Sequence, residues 1–213
     1  MLILSIDSAA AACGACLWRD GEILAIKSEA MDRGQDRRLI PLINEIMAKA
    51  ETDFEELDRV AVTRGPGSFT GLRIGLAAAR GIGLAAGKSV IGIDRFAIYR
   101  EQQAAAGESL FIVIESKRQE LFCRFYPSGA APGEPHMLTR GQIAEFLAQW
   151  PDTITTGDAH YGVPPAECEA ITCARLAARA ALDEADFLPR PLYIREPDVT
   201  FPHKTGSGRD IQR

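Results

Sequence analysis

Apolar and polar positions change rhythm several times along this chain, and each change predicts an element. Leu2 to Ile6 is a short aliphatic run closed by Asp7-Ser8, and reads as a strand. Ala10 to Trp18 and Glu22 to Ser28 flank Arg19-Asp20-Gly21, and Asp-Gly between two such runs predicts a tight hairpin. The chain therefore opens as an antiparallel meander. After the polar residues 32–36, Leu39, Ile43, Ile46, Met47 and Ala50 fall on one helical face, with Pro41 accommodated if it lies in the first turn. Leu57 to Thr63 predicts a fourth strand. A glycine-rich turn then leads into a long helix from Phe69 to Ala86, stopped by Gly87, and Ser89 to Ile93 predicts a fifth strand. Strand, helix and strand in that order require the last two strands to be parallel. The expected class is α/β, with a mixed five-stranded sheet and helices.

The second half carries weaker periodicity. Leu110 to Ile114 and Leu121 to Tyr126 read as paired strands, and Thr139 with Gln142 as a capping box opening a helix that ends near Trp150. Ile154 to Thr156 is a short strand and Ile171 to Leu182 a helix, while the prolines and glycines of 127–135 mark a loop. No internal repeat is visible. The division expected is a subdomain over 1–100, a smaller α/β subdomain over 101–195 and a mobile tail over 196–213.

Composition narrows the function. With 213 residues, 46% of them hydrophobic and a formal charge of −5, the chain has material for a sizeable core and lacks the overall basic balance that phosphate contacts to tRNA or DNA require. Arg33, Arg37 and Arg38 form a local basic cluster, read as a solvated helix end. The first residues have no basic start and no long apolar run, so no signal peptide is expected, and no stretch has transmembrane length. Five cysteines fit a reduced, cytoplasmic chain. Cys13 and Cys16 make a C-x-x-C pair inside an apparent strand, and Cys168 and Cys173 have no histidine at a matching interval. Both pairs read as buried structural thiols.

Gly65-Pro66-Gly67-Ser68-Phe69-Thr70-Gly71-Leu72-Arg73-Ile74-Gly75 is the most specific segment. It places backbone N–H groups at a helix start, where anions are attracted, and Ser68 or Thr70 can cap that helix. The alternative is a tight turn that needs glycine for positive φ. No Gly-Lys-Ser/Thr follows, so it is not a Walker loop. Asp7-Ser8 ends the first strand, where nucleotide-handling α/β proteins place site residues, or is an ordinary turn. Gly71, Gly75, Ala79, Gly83 and Gly87 recur every four residues along the helix. Each glycine costs about 1 kcal/mol relative to alanine there, so a close neighbour should offset it: an internal helix or another chain.

Together these residues resemble the TsaB (YeaZ) family, bacterial accessory proteins of tRNA threonylcarbamoyladenosine synthesis. The resemblance is close over residues 1 to about 100 and returns at Pro191-Leu192-Tyr193-Ile194-Arg195. It implies an actin-like/hexokinase-like ATPase fold of the ribonuclease H-like kind, with a reduced second subdomain. It implies a subunit that is not itself catalytic, required for N6-threonylcarbamoylation of adenosine 37 in tRNAs reading codons that begin with A. The implied partners are the catalytic paralogue TsaD and the ATPase TsaE, with tRNA met only through the complex and a homodimer through the same surface when the partner is absent. The family docks through its first two helices, which points to Leu39, Ile43, Ile46, Phe69, Arg73, Gly75, Ala79 and Gly83. The phosphate-loop candidates are Asp7, Ser8, Gly65, Pro66, Gly67, Ser68, Thr70 and Gly71. No cofactor is expected to be held firmly by this chain; ATP or ADP is the nucleotide of the assembled complex.

The catalytic paralogue binds metal through a His-x-x-x-His pair after its fifth strand, and those positions fall on Arg95 and Tyr99 here. Arginine stays protonated and cannot replace an imidazole ligand. His136, His160 and His203 are dispersed, so neither a catalytic residue nor a metal site is expected. The chain is also too short for the paralogue's second subdomain. Two positions depart from the family pattern: Gln35 where relatives often have histidine, and Glu115-Ser116-Lys117-Arg118 where they often read Asp-Ala-Arg. The alternatives to be weighed are a metallopeptidase of the glycoprotease class and a small ATP-dependent kinase of the same superfold with Asp7 as base.

Overall fold

The computed structural model describes residues 1–103, 108–163, 165–180 and 187–194. Its first sheet contains β1 (Leu2–Asp7), β2 (Ala12–Arg19), β3 (Glu22–Ala30), β4 (Arg59–Thr63) and β5 (Ser89–Ile93), in the order β3-β2-β1-β4-β5. The first three strands are antiparallel, and β1, β4 and β5 run parallel, as the sequence predicts. The hairpin between β2 and β3 turns on Asp20 and Gly21, both at positive φ.

Alternation along β1 sorts its side chains onto two faces. Leu2, Leu4 and Ile6 pack under α1 (Gln35–Lys49) and α2 (Phe69–Ala86). Ile3 faces α5 (Glu169–Arg179), together with Ala61, Ile91 and Ile93. Helix α5 thus completes the first sheet although it lies in the last quarter of the chain. Its rows of small residues, Ala170, Cys173, Ala174 and Ala177, let it lie close to the strands, and Ser5 Oγ donates to the Ala170 carbonyl at 2.5 Å.

The second sheet contains β6 (Leu110–Ile114), β7 (Glu120–Tyr126), β8 (His136–Thr139) and β9 (Ile154–Thr156), in the order β8-β7-β6-β9. Three antiparallel strands are again followed by one parallel to the first, so among the described residues this sheet repeats the topology of the other without a fifth strand. One face carries α3 (Arg95–Gln103) through Phe96 and Tyr99; the other carries α4 (Arg140–Gln149) through Ile143 and Phe146. The capping box of Thr139 and Gln142 opens α4.

Several elements differ from the sequence reading. Pro41 lies inside α1, past its first turn. The carbonyl four residues back belongs to Arg37, an exposed residue, so water can replace the hydrogen bond that proline removes. Helix α3 and strand β8 are too short and too mixed in polarity to show a period. The repeat of topology left no repeat of residues. The mobile tail expected over 196–213, like His203 and Arg195, lies outside the described residues. Residues 187–194 pass over the first sheet: Leu192 N–H donates to the Arg64 carbonyl at 2.7 Å. Gly92 leaves the space for Leu188 and Pro189, because a Cβ there would meet the Leu188 oxygen at 2.6 Å.

Candidate functional site

The two sheets enclose a cleft of about 900 Å³. Asp7 and residues 9–12, which lead into β2, form one wall, and the loop after β6, residues 115–118, the opposite one. Tyr193 and Ile194 reach it from the chain's last described segment.

The glycine-rich turn does come together with Asp7 and Ser8, and its packing explains its composition. A Cβ at Gly67 would run into the Ala9 carbonyl, and one at Gly71 into the Ser8 carbonyl. Ser68 N–H donates to Ala9 O at 2.8 Å, Ser8 Oγ donates to Gly71 O at 2.8 Å, and Ser68 Oγ caps α2 by accepting from Gly71 N–H at 3.2 Å. Glycine is needed here because two backbone segments touch. Gly65, at φ 107°, satisfies the positive-φ alternative, and the Arg95 N–H donates to its carbonyl at 2.8 Å. Thr70 is exposed at the helix start.

Loop N–H groups on both walls already have internal carboxylate acceptors. Asp7 Oδ1 accepts from Ala9 N–H at 3.1 Å and from Thr63 Oγ1 at 2.6 Å. On the other wall, Glu115 Oε1 accepts from Ser116 N–H at 2.9 Å and Lys117 N–H at 2.7 Å, with Lys117 at φ 60°. By strand order Asp7 and Glu115 are counterparts, each at the end of the central strand of its sheet. Lys117 and Arg118 stand on the same wall as Glu115, so the cleft presents both signs of charge.

Sequence reasoning missed what lies at the base of the cleft. Arg95 is fully buried. Its Nε and Nη2 donate to the two Glu169 oxygens at 2.6 and 2.5 Å, Nη2 to Asp158 Oδ2 at 2.6 Å and to Tyr99 Oη at 3.1 Å, and Nη1 to the Pro66 carbonyl at 3.0 Å. Tyr99 Oη in turn donates to Glu169 Oε1 at 2.7 Å. Burial works against the guanidinium charge, yet Glu169, Tyr99 and Asp158 hold it protonated. Asp158 Oδ1 also accepts from Glu115 N–H at 2.7 Å, so the cluster joins the glycine-rich turn, both sheets and the start of α5. The only signal for it in sequence was Arg95 and Tyr99, four apart after the fifth strand. Asp158 and Glu169 gave none.

Burial pushes the Asp7 carboxyl up to about 6, with the Glu169 charge adding to it and Arg95, Thr63 and Ala9 opposing. Burial also pushes the Cys13 and Cys16 thiols up to about 11 and 12. These two cysteines lie three apart on β2 and enter different cores on opposite faces of the sheet, so they cannot act as a pair. His136 and His160 are both exposed.

The small-residue stripe needs correction. Gly71, Gly75, Ala79 and Gly83 are buried against the chain's own sheet: a Cβ at Gly75 would strike Ser8 Oγ, and one at Gly83 would strike Val90. The internal neighbour is a set of strands and loops, not a helix. Leu39, Ile43 and Ile46 likewise lie in the core, each no more than 2% exposed. None of these side chains is available to another chain, because the helical stripe that looked lean is the one that approaches β1, β4 and β5. Arg73 is exposed and stacks on the Phe69 ring at 3.8 Å, and Tyr193 packs on the same ring at 5.3 Å. The outward faces of α1 and α2 present Ile40, Ala77, Gly81, Leu84 and Ala85, with Leu84 86% exposed. Gln35 is buried and donates to Met31 O at 3.0 Å, closing the loop before α1.

Comparison with known proteins places this architecture. A family model described as "TsaD: tRNA N6-adenosine threonylcarbamoyltransferase" matches residues 26–126. The Escherichia coli K12 "tRNA threonylcarbamoyladenosine biosynthesis protein TsaB" is 40% identical over 94 residues, covering 44% of this chain and 40% of the relative. The Haemophilus influenzae protein of the same description is 30% identical over 124 residues, covering 57% of this chain and 52% of the relative. Over these stretches the chain is similar to TsaB proteins. It spans about half the length of the curated relatives it matches. The solved structure "YeaZ from Pseudomonas aeruginosa" superposes with a TM-score of 0.69 at 23% identity, covering 90% of this chain and 99% of that one. This likeness bears on the fold, which is the α/β, actin-like ATPase fold. Among the described residues no helix is long and apolar enough to cross a membrane.

Proposed function

We propose that this chain is a non-catalytic subunit required for N6-threonylcarbamoylation of adenosine 37 in tRNAs reading codons that begin with A. It binds and activates a TsaD-type catalytic subunit in the cytoplasm, with a TsaE-type ATPase and the tRNA joining through the complex. The observation that carries this is the relationship to TsaB proteins combined with the Arg95 cluster. The two positions that correspond to metal-binding histidines in the catalytic paralogue carry an arginine and a tyrosine engaged with acidic partners. This chain supplies a surface, and the chemistry and its ATP or ADP belong to the partners. The docking surface is the outward side of α1 and α2, around Ile40, Ala77, Gly81 and Leu84, and a homodimer through the same faces forms in the partner's absence. The metallopeptidase alternative gains no support from Arg95 and Tyr99, which are engaged with Glu169 and cannot replace imidazole ligands.

Reconstitution of tRNA modification from TsaD and TsaE, with and without this chain, tests the reading by mass spectrometry of the digested nucleosides. Modification should depend on the chain and fall with Leu84→Glu. Equal yield without the chain would refute the proposal.

A further inference from the structure

Asp7 is 5% exposed and is only half satisfied. Its Oδ1 takes two hydrogen bonds, from Thr63 and Ala9. No described residue donates to Oδ2, and this oxygen is not sealed from solvent; it opens into the interlobe cleft. The nearby fixed cation cannot serve it, because Nε, Nη1 and Nη2 of Arg95 are all engaged by Glu169, Asp158, Tyr99 and Pro66. A cleft-facing carboxylate oxygen without a protein donor, on a residue otherwise buried and beside the negative Glu169, suits a ligand that brings a donor and a positive charge in place of water.

The chemistry of that ligand can be narrowed. At Asp7 itself phosphate would meet the like charges of Asp7 and Glu169, and the neighbouring Ala9 N–H is engaged by Oδ1; the exposed Lys117 and Arg118 lie on the opposite wall. A metal ion lacks ligands, since among the described residues no group of three or more His, Cys, Asp or Glu is placed to hold one. A guanidinium prefers two oxygens of one carboxylate, and Oδ1 is already taken. An ammonium is a compact point charge that one oxygen can accept. Beside Asp7, the wall is methyl-lined by Ala9, Ala10, Ala11 and Ala12, with Leu72 adjacent, which suits an alkyl stem. We propose that the cleft is a binding site for a primary alkylammonium group held by Asp7 Oδ2. The group comes from a free amine or from the lysine side chain of a docked chain; the chemistry at Asp7 is the same.

The test uses the full chain, observed by backbone amide NMR during titration with n-butylammonium chloride. Saturable shifts should appear at residues 9–12 and at Glu169. Asp7→Asn should weaken the affinity about tenfold or more, the value of a hydrogen bond to a charged group, and n-butanol should produce no such shifts. A single-lysine peptide, N-acetylated and C-amidated, separates the sources. Tighter binding than n-butylammonium assigns a chain-borne lysine, equal affinity assigns a free amine, and both support the proposal. Unchanged affinity in Asp7→Asn, equal binding of n-butanol, the absence of saturable shifts, or the same shifts from inorganic phosphate would each overturn it.

Discussion

Arg95 and Glu169 meet through two parallel hydrogen bonds, Nε to Oε2 at 2.6 Å and Nη2 to Oε1 at 2.5 Å, although 74 positions separate them in the chain. Helix α3 begins with one and α5 with the other. Breaking such a buried pair leaves an uncompensated charge, at a cost of about 3–5 kcal/mol. Arg95→Met should therefore lower the urea midpoint sharply, and combining it with Glu169→Gln should restore part of the loss. If Arg95→Met cost less than about 1 kcal/mol, the size expected of an exposed pair, the cluster would have no structural role.

Asp7 makes stability depend on pH. Its carboxyl titrates near 6 in the folded chain against an ordinary value of 3.8, because burial and then Glu169 disfavour the charge. The folded state thus binds the proton more tightly, so the group favours folding at low pH and that contribution is lost as pH rises from about 4 to about 6. Asparagine keeps the Oδ1 acceptor and carries no charge. Asp7→Asn should be more stable than the wild type at pH 8, by on the order of 3 kcal/mol, and about equal to it below pH 4. Thermal unfolding at the two pH values checks both sign and window.

Glycines on α2 should divide by face. Gly71→Ala forces a methyl group into the Ser8 carbonyl and should cost about 1–3 kcal/mol. At Gly81 a Cβ meets nothing within 4 Å, so Gly81→Ala should gain about 0.5–1 kcal/mol of helix stability. Chemical denaturation of both variants distinguishes an internally packed stripe from an outward one. Equal effects would contradict this division of faces.

Leu84 sits on the outward face and supports little of the fold. Leu84→Glu should change stability by no more than about 0.5 kcal/mol while weakening association with TsaD in a pull-down or by calorimetry. Unchanged association together with intact folding would move the docking surface elsewhere.

Much of the first sheet was legible in sequence because its signals are local. Aliphatic runs of strand length, Asp20-Gly21 at the hairpin and Gly87 at the helix end each depend on a few neighbouring residues, and α2 and β5 have the boundaries their patterns predict. The same local logic offered Ser68 or Thr70 as a cap and the 65–71 segment as a turn; the structure chose Ser68 and set the turn beside Asp7. Helical spacing alone could not say what the small-residue stripe approaches, since a lean face looks the same toward a sheet or toward another subunit. Only the tertiary structure turned Gly75 and Gly83 inward and left Leu84 outside. It also brought Asp158 and Glu169 to Arg95, and left one oxygen of Asp7 open to the cleft. The reason is physical: hydrogen bonds and ion pairs between residues dozens of positions apart leave no periodicity in the chain, and become visible only when folding sets their partners face to face.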